Sequence, residues 1–129
     1  MAAPTASVSF NSQLITNLAN PVSAQDAATK AYVDAGGSAN VVTIFANYAV
    51  LTTDGDILAD ATGGPILVTL PTAVGNSGQS FNVKKIDSSV NTVTVNTGGE
   101  LIDGALTQVI SFQWTSIGLV SDGTNWFIT

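Results

Sequence analysis

The chain has 129 residues, 45% hydrophobic and only 9% charged, with three Lys+Arg against nine Asp+Glu and a net charge of −6. Three bases, Lys30, Lys84 and Lys85, are too few to release the counterions of a nucleic acid or to hold an anionic membrane, so those partner classes are excluded. With no histidine or cysteine, disulfides, thiolate metal sites and every Ser-His-Asp or Cys-His catalytic arrangement are excluded too.

Residues 1–22 carry Val8, Phe10, Leu14, Ile15 and Leu18 among Ser, Asn, Thr and Gln. That apolar spacing is too sparse for a helix face and predicts an extended arm without a core of its own. Asn20-Pro21 ends it, because a proline ring disfavours the α region for the residue before it. Met1-Ala2-Ala3-Pro4 lacks the basic start and apolar core of a signal peptide, and no run of about 18 apolar residues offers a membrane span.

A short helix is predicted over 23–35. Ser23 is placed as N-cap with Asp26 three positions on, where a carboxylate suits the free N–H groups and the dipole. Asp26 and Lys30 form an i,i+4 pair, and Gly36-Gly37 offers a left-handed C-cap. A helix of this length is marginal alone, since isolated helices below roughly 12–15 residues rarely offset nucleation. Ala24, Ala27, Ala28, Ala31, Tyr32 and Ala35 make a small-residue face suited to close backbone approach. It can dock on the same chain's β domain or meet its copies around a symmetry axis.

The stretch ITNLANPVSAQDAATKAYVD resembles a recurring segment of tailed-bacteriophage fibre proteins, of the form I-x-N-L-x-x-P-x-x-x-x-D-A-x-x-K-x-Y-V-D. The pattern falls on Ile15, Asn17, Leu18, Pro21, Asp26, Ala27, Lys30, Tyr32, Val33 and Asp34 without a gap. In such fibres the segment is typically a junction between modules of a parallel homotrimer. The resemblance therefore implies a trimer junction at 23–35 and a virion-attachment arm at 1–22 that docks on another virion protein. NVKKIDSS (82–89) and SDGTNW (121–126) resemble, more weakly, small β modules at fibre ends. A phage protein of this kind is expected to be made in the host cytoplasm and to reside on the particle surface.

Residues 36–40 read as a Gly/Ser/Ala linker. Over 41–129 short runs of Val, Ile, Thr and aromatics are punctuated by Gly, Asp and Asn, which predicts an all-β domain: a small antiparallel sandwich or barrel. Strands are expected at 42–45, 49–53, 56–61, 66–70, 80–86, 92–96, 107–114, 116–121 and 126–128. Turn chemistry lies at Asp54-Gly55, Gly63-Gly64-Pro65, Asn76-Ser77-Gly78, Gly98-Gly99, Asp103-Gly104 and Asp122-Gly123. No internal repeat of solenoid period is evident. Alternation puts Ile66, Val68, Leu70, Phe81, Val83, Val93, Val95, Ile110, Phe112, Trp114, Ile117, Leu119, Trp126 and Ile128 on inward faces.

No catalytic site, cofactor or metal is predicted. The acids sit in turns, and Asp54, Asp56 and Asp60 lack the spacing and glutamate of a calcium loop. Lys84 and Lys85 fall on opposite faces of one strand, placing one of them to pair with Asp87 or with a neighbouring chain. Aromatic side chains in a small β domain are mostly core, yet one of Trp126 and Phe127 must face away if their strand is regular. Trp114, Trp126 and Phe127, joined by Tyr48, are the rings available to stack on sugars, and Tyr48, Trp126 and Phe127 are the candidate ligand or subunit contacts. The expected function is a non-enzymatic virion protein, a short homotrimeric tail fibre displaying its β domain for adhesion to a host surface glycan or protein. The alternatives are a capsid or collar decoration (head-fibre) protein and a stand-alone carbohydrate-binding module.

Overall fold

The computed structural model of the chain describes residues 17–23, 26–29 and 40–129. The backbone divides into two compact units, Met1–Gly37 and Ser38–Thr129.

In the first unit the described residues form neither helix nor strand. Asp26 makes one turn in place of the expected helix start: its Oδ2 accepts the N–H groups of Ser23 (2.9 Å) and Val22 (3.0 Å), while its own N–H donates to the Ser23 carbonyl at 3.0 Å. These backbone donors hold the Asp26 carboxyl below its ordinary range. It is the acidic half of a capping box. Residues 27–29 do not continue it as helix, in keeping with the nucleation cost of a short, Ala-lined segment. Leu18, Ala27 and Ala28 are exposed. The other arm and junction residues, Val8, Phe10, Leu14, Ile15, Ala24, Ala31, Tyr32 and Ala35, lie outside the described residues.

The second unit is all-β. Its strands are β1 (Asn40–Ile44), β2 (Tyr48–Ala49), β3 (Asp54–Ala59), β4 (Ile66–Thr69), β5 (Ser80–Lys85), β6 (Val93–Asn96), β7 (Thr107–Ile110), β8 (Ser116–Ser121) and β9 (Trp126–Ile128). They form two open sheets, β1-β3-β5-β8-β9 and β2-β4-β6-β7. The first six strands alternate between the sheets, so neighbours within a sheet are two strands apart in sequence and run parallel. Each pair, β1-β2, β3-β4 and β5-β6, is thus one coil of a short two-sheeted solenoid. β7, β8 and β9 then turn back antiparallel against β6, β5 and β8.

This corrects the expected antiparallel sandwich or barrel: the sheets are mixed and open. Gly63-Gly64-Pro65 and Asn76-Ser77-Gly78 mark corners where the chain passes between sheets, whereas Asp54-Gly55, expected as a turn, opens strand β3; period-2 alternation is the same in parallel and antiparallel strands. Asp122-Gly123 does join an antiparallel pair, β8 and β9. Asp103-Gly104, with φ of 48° and 80°, is a two-residue reversal closing the Ile102–Ala105 bridge, where both central residues must be left-handed.

The coils stack side chains in ladders. Val42, Ile57, Val83 and Ile117 lie in register across one sheet, and Ile66, Val93 and Ile110 across the other. Their inward faces share one core that includes Ile57, Val68, Phe81, Val95, Ile102, Leu119 and Trp126. Three expected core residues are outside it: Phe112, Trp114 and Ile128 are exposed. β7 ends at Ile110 and residues 111–115 form a turn, so the alternation that would bury Phe112 and Trp114 stops with the strand.

Candidate functional site

Where sheet one hands over to sheet two, four turns stack along one edge of the solenoid: 45–47 after β1, 60–65 after β3, 86–92 after β5 and 111–115 before β8. Backbone hydrogen bonds hold the stack. The Asp60 N–H donates to the Ile44 carbonyl (2.9 Å), Ile86 N–H to Ala59 (2.9 Å) and Trp114 N–H to Lys85 (2.8 Å). This corner displays Phe45, Val90, Phe112 and Trp114, each more than 60% exposed. Phe45 also borders a shallow depression with Ala46, Asn47, Gly63, Gly64 and Pro65.

Beneath it lies a buried ion pair. Lys85 occupies the inward position in register with Ile44 and Ala59, and the small Ala59 leaves room for its stem. Its Nζ donates to Asp87 Oδ1 at 2.6 Å and to the Asp87 carbonyl at 3.0 Å, with the Lys85 side chain fully buried. Asp87 also accepts from the Ala61 N–H (2.7 Å), the Ser89 N–H (2.9 Å) and the Ser89 hydroxyl. The Ala61 carbonyl accepts from Asn91 Nδ2 (2.8 Å) and Ser89 Oγ (3.2 Å). Burial alone would push the Asp87 carboxyl up; hydrogen bonds from Lys85, Ser89 and Ala61 reverse this and hold it well below the usual carboxylate range. The network ties the second turn of the corner to the third.

Of the candidate contact residues, Trp126 is fully buried, packed on Phe81 with ring centroids 5.4 Å apart and its Nε1 donating to the Pro71 carbonyl at 3.3 Å. Phe127 points outward from the edge strand β9 and is 42% exposed, as alternation requires. Tyr48 is half-buried and structural: its hydroxyl donates to Asp54 Oδ2 at 2.9 Å, beside the Leu51 N–H at 2.8 Å. Burial, and then the hydrogen bond to and charge of Asp54, push the Tyr48 phenol above its ordinary range. Tyr48→Phe is expected to cost about 0.5–1.5 kcal/mol in urea unfolding, the net worth of one hydrogen bond.

The corner aromatics Phe45 and Phe112, and the exposure of Trp114, have no signal in residue type or spacing, because they depend on where β1 and β7 end. Asp54, Asp56 and Asp60 serve separate partners, Tyr48, Asn82 and Thr62 respectively. Among the described residues no group of three or more His, Cys, Asp or Glu could hold a metal ion, and no helix is long and apolar enough to cross a membrane. What the corner offers chemically is exposed rings over a rigid, hydrogen-bonded backbone. No protein-family model matches the chain, and no curated protein matches it at a significant level.

Proposed function

We propose that the chain is a non-enzymatic structural protein of a tailed-phage particle, a short fibre of three parallel copies. Residues 1–22 anchor it to another virion protein, the 23–35 segment joins the copies, and the solenoid is displayed for adhesion to a host surface. The observation that carries this reading is the ungapped resemblance of Ile15 to Asp34 to the fibre junction pattern. The low charge supports it, since 9% charged residues is far below the roughly 25% of ordinary soluble domains and suits lateral packing between copies. Three linked copies would convert weak single contacts into firm attachment through effective concentration.

Sedimentation equilibrium of the full chain is expected to give a trimer; a monomer at micromolar concentration overturns the reading. Deleting residues 1–22 is expected to abolish incorporation into particles while the β domain keeps its circular dichroism. Labelled-antibody electron microscopy of particles then separates a tail position from a capsid or collar decoration. Ligand binding unchanged by that deletion, in a chain that never enters particles, is the outcome for a stand-alone carbohydrate module.

A further inference from the structure

We propose that the four stacked turns form a binding strip for a neutral oligosaccharide, with the Trp114 indole as the stacking platform at one end; this rests on, and deepens, the adhesion reading. Trp114 has φ of 65°, a left-handed conformation that is an outlier for a bulky side chain and persists only where the surroundings over-determine it. The surroundings do so through hydrogen bonds of the main chain and of one neighbouring side chain. Its N–H donates to the Lys85 carbonyl at 2.8 Å, the Lys85 N–H donates to Thr115 at 3.0 Å, and Thr115 N–H to Phe112 at 3.3 Å. Gln113 Nε2 adds a bond to the Ile86 carbonyl at 3.1 Å. The backbone is fixed while the ring stays 62% exposed, so little ordering cost falls on ligand binding.

The polar groups around the rings identify the ligand's chemistry. Asn47, Thr62, Gln113 and Thr115 are exposed and uncharged, and the half-buried Asp60 carboxylate accepts from the Thr62 N–H and hydroxyl at 3.0 and 2.6 Å. The four turns themselves carry no lysine or arginine, Lys85 beneath them is buried in its bond to Asp87, and Lys84 lies on the opposite face of β5, so the turns offer no cation to meet a phosphate, sulfate or carboxylate. A ligand with flat apolar faces and neutral hydroxyls suits both features: sugar rings stack on aromatics and their hydroxyls bond amides and Thr. From the Phe45 turn to the Trp114 turn is three strand spacings, on the order of 14 Å. That is room for several linked rings rather than one.

The full-length chain has two tryptophans, and Trp126 is fully buried, so red-edge fluorescence reports Trp114. Titration with cello-, malto- and chito-oligosaccharides is expected to give a saturable blue shift with at least one series. Trp114→Gly is expected to remove the shift and to lower affinity by calorimetry about tenfold or more. Its melting temperature should be equal or higher, since glycine takes the left-handed φ without strain. Phe112→Ala, a second exposed variant, is expected to weaken the same ligand. No saturable shift with any of the three series overturns the strip, as does unchanged affinity in Trp114→Gly. A lower oligomeric state in Trp114→Gly also overturns it, because the ring then belongs to a contact between copies. A trimer that binds none of the sugars removes the strip alone; a monomeric wild-type chain that binds one removes the fibre and keeps the strip.

Discussion

Replacing Trp126 with alanine is expected to destabilise the β unit by about 3–5 kcal/mol, the usual cost of emptying a buried aromatic site. The indole is fully buried against Phe81 and donates to the Pro71 carbonyl. Its backbone also bonds Leu101 and Asp103 at 2.9 and 3.1 Å, so one residue fastens β9, the 97–106 connection and the end of β4. A domain with a total stability of about 5–15 kcal/mol would keep only a narrow margin. Urea unfolding followed by circular dichroism should show a lower midpoint with an unchanged slope. A loss below about 1 kcal/mol would mean that the site collapses around the void, contrary to the close packing seen here.

Asp87→Ala is expected to cost about as much, roughly 3–5 kcal/mol, because it leaves the Lys85 ammonium charged, buried and unpaired. The Ala61 and Ser89 N–H groups lose their acceptor as well. Lys85→Met combined with Asp87→Asn should restore most of that loss: the charge is gone and the amide oxygen can still accept a backbone N–H. The pair also sets an acid limit. A carboxyl whose folded pKa lies below its ordinary 3.8 contributes stability above that value, which is lost as pH falls through the folded one. Glu100, lowered by the Thr72 hydroxyl and the Ala73 N–H, and Asp122, lowered by the Asn125 and Thr124 N–H groups, act in the same direction. Stability should therefore fall steeply from about pH 4 downward, and Asp87→Asn should flatten that slope. A wild-type unfolding midpoint independent of pH between about 2 and 5 would contradict the network.

Alternation made the strands and most of the core legible from residue type alone. The apolar positions of β5 and β6 follow period 2 without interruption, and the 116–121 and 126–128 strands fall where the pattern places them. The pairing of Lys85 with Asp87 could be anticipated too, since a lysine that continues the inward face of Phe81 and Val83 must find an acid. Direction and sheet assignment could not. The register steps from Val42 to Ile57 to Val83, and from Tyr48 to Val68 to Val95, are unequal, so the coils leave no fixed period in the chain. Extra residues are absorbed in corners such as 71–79 and 97–106, where they disturb no ladder.

The exposed corner was illegible for a related reason. Extending the β7 alternation by two more steps buries Phe112 and Trp114; ending the strand at Ile110 turns both outward. Nothing in Ser111-Phe112-Gln113-Trp114-Thr115 announces a left-handed tryptophan, because the usual marker of that backbone is glycine or asparagine. The conformation is imposed by the Lys85 backbone of another strand, a tertiary override that local propensity does not contain.

The coiled path of β1 to β6 gives the molecule a direction of growth. Each coil bonds only to the coil on either side, so a further strand pair inserted between β4 and β5 would meet the same neighbours as the existing ones. It would carry the antiparallel cap outward by one increment of about 4.8 Å. The length of the β unit is therefore adjustable in small fixed steps, with the chemistry of its antiparallel cap unaltered.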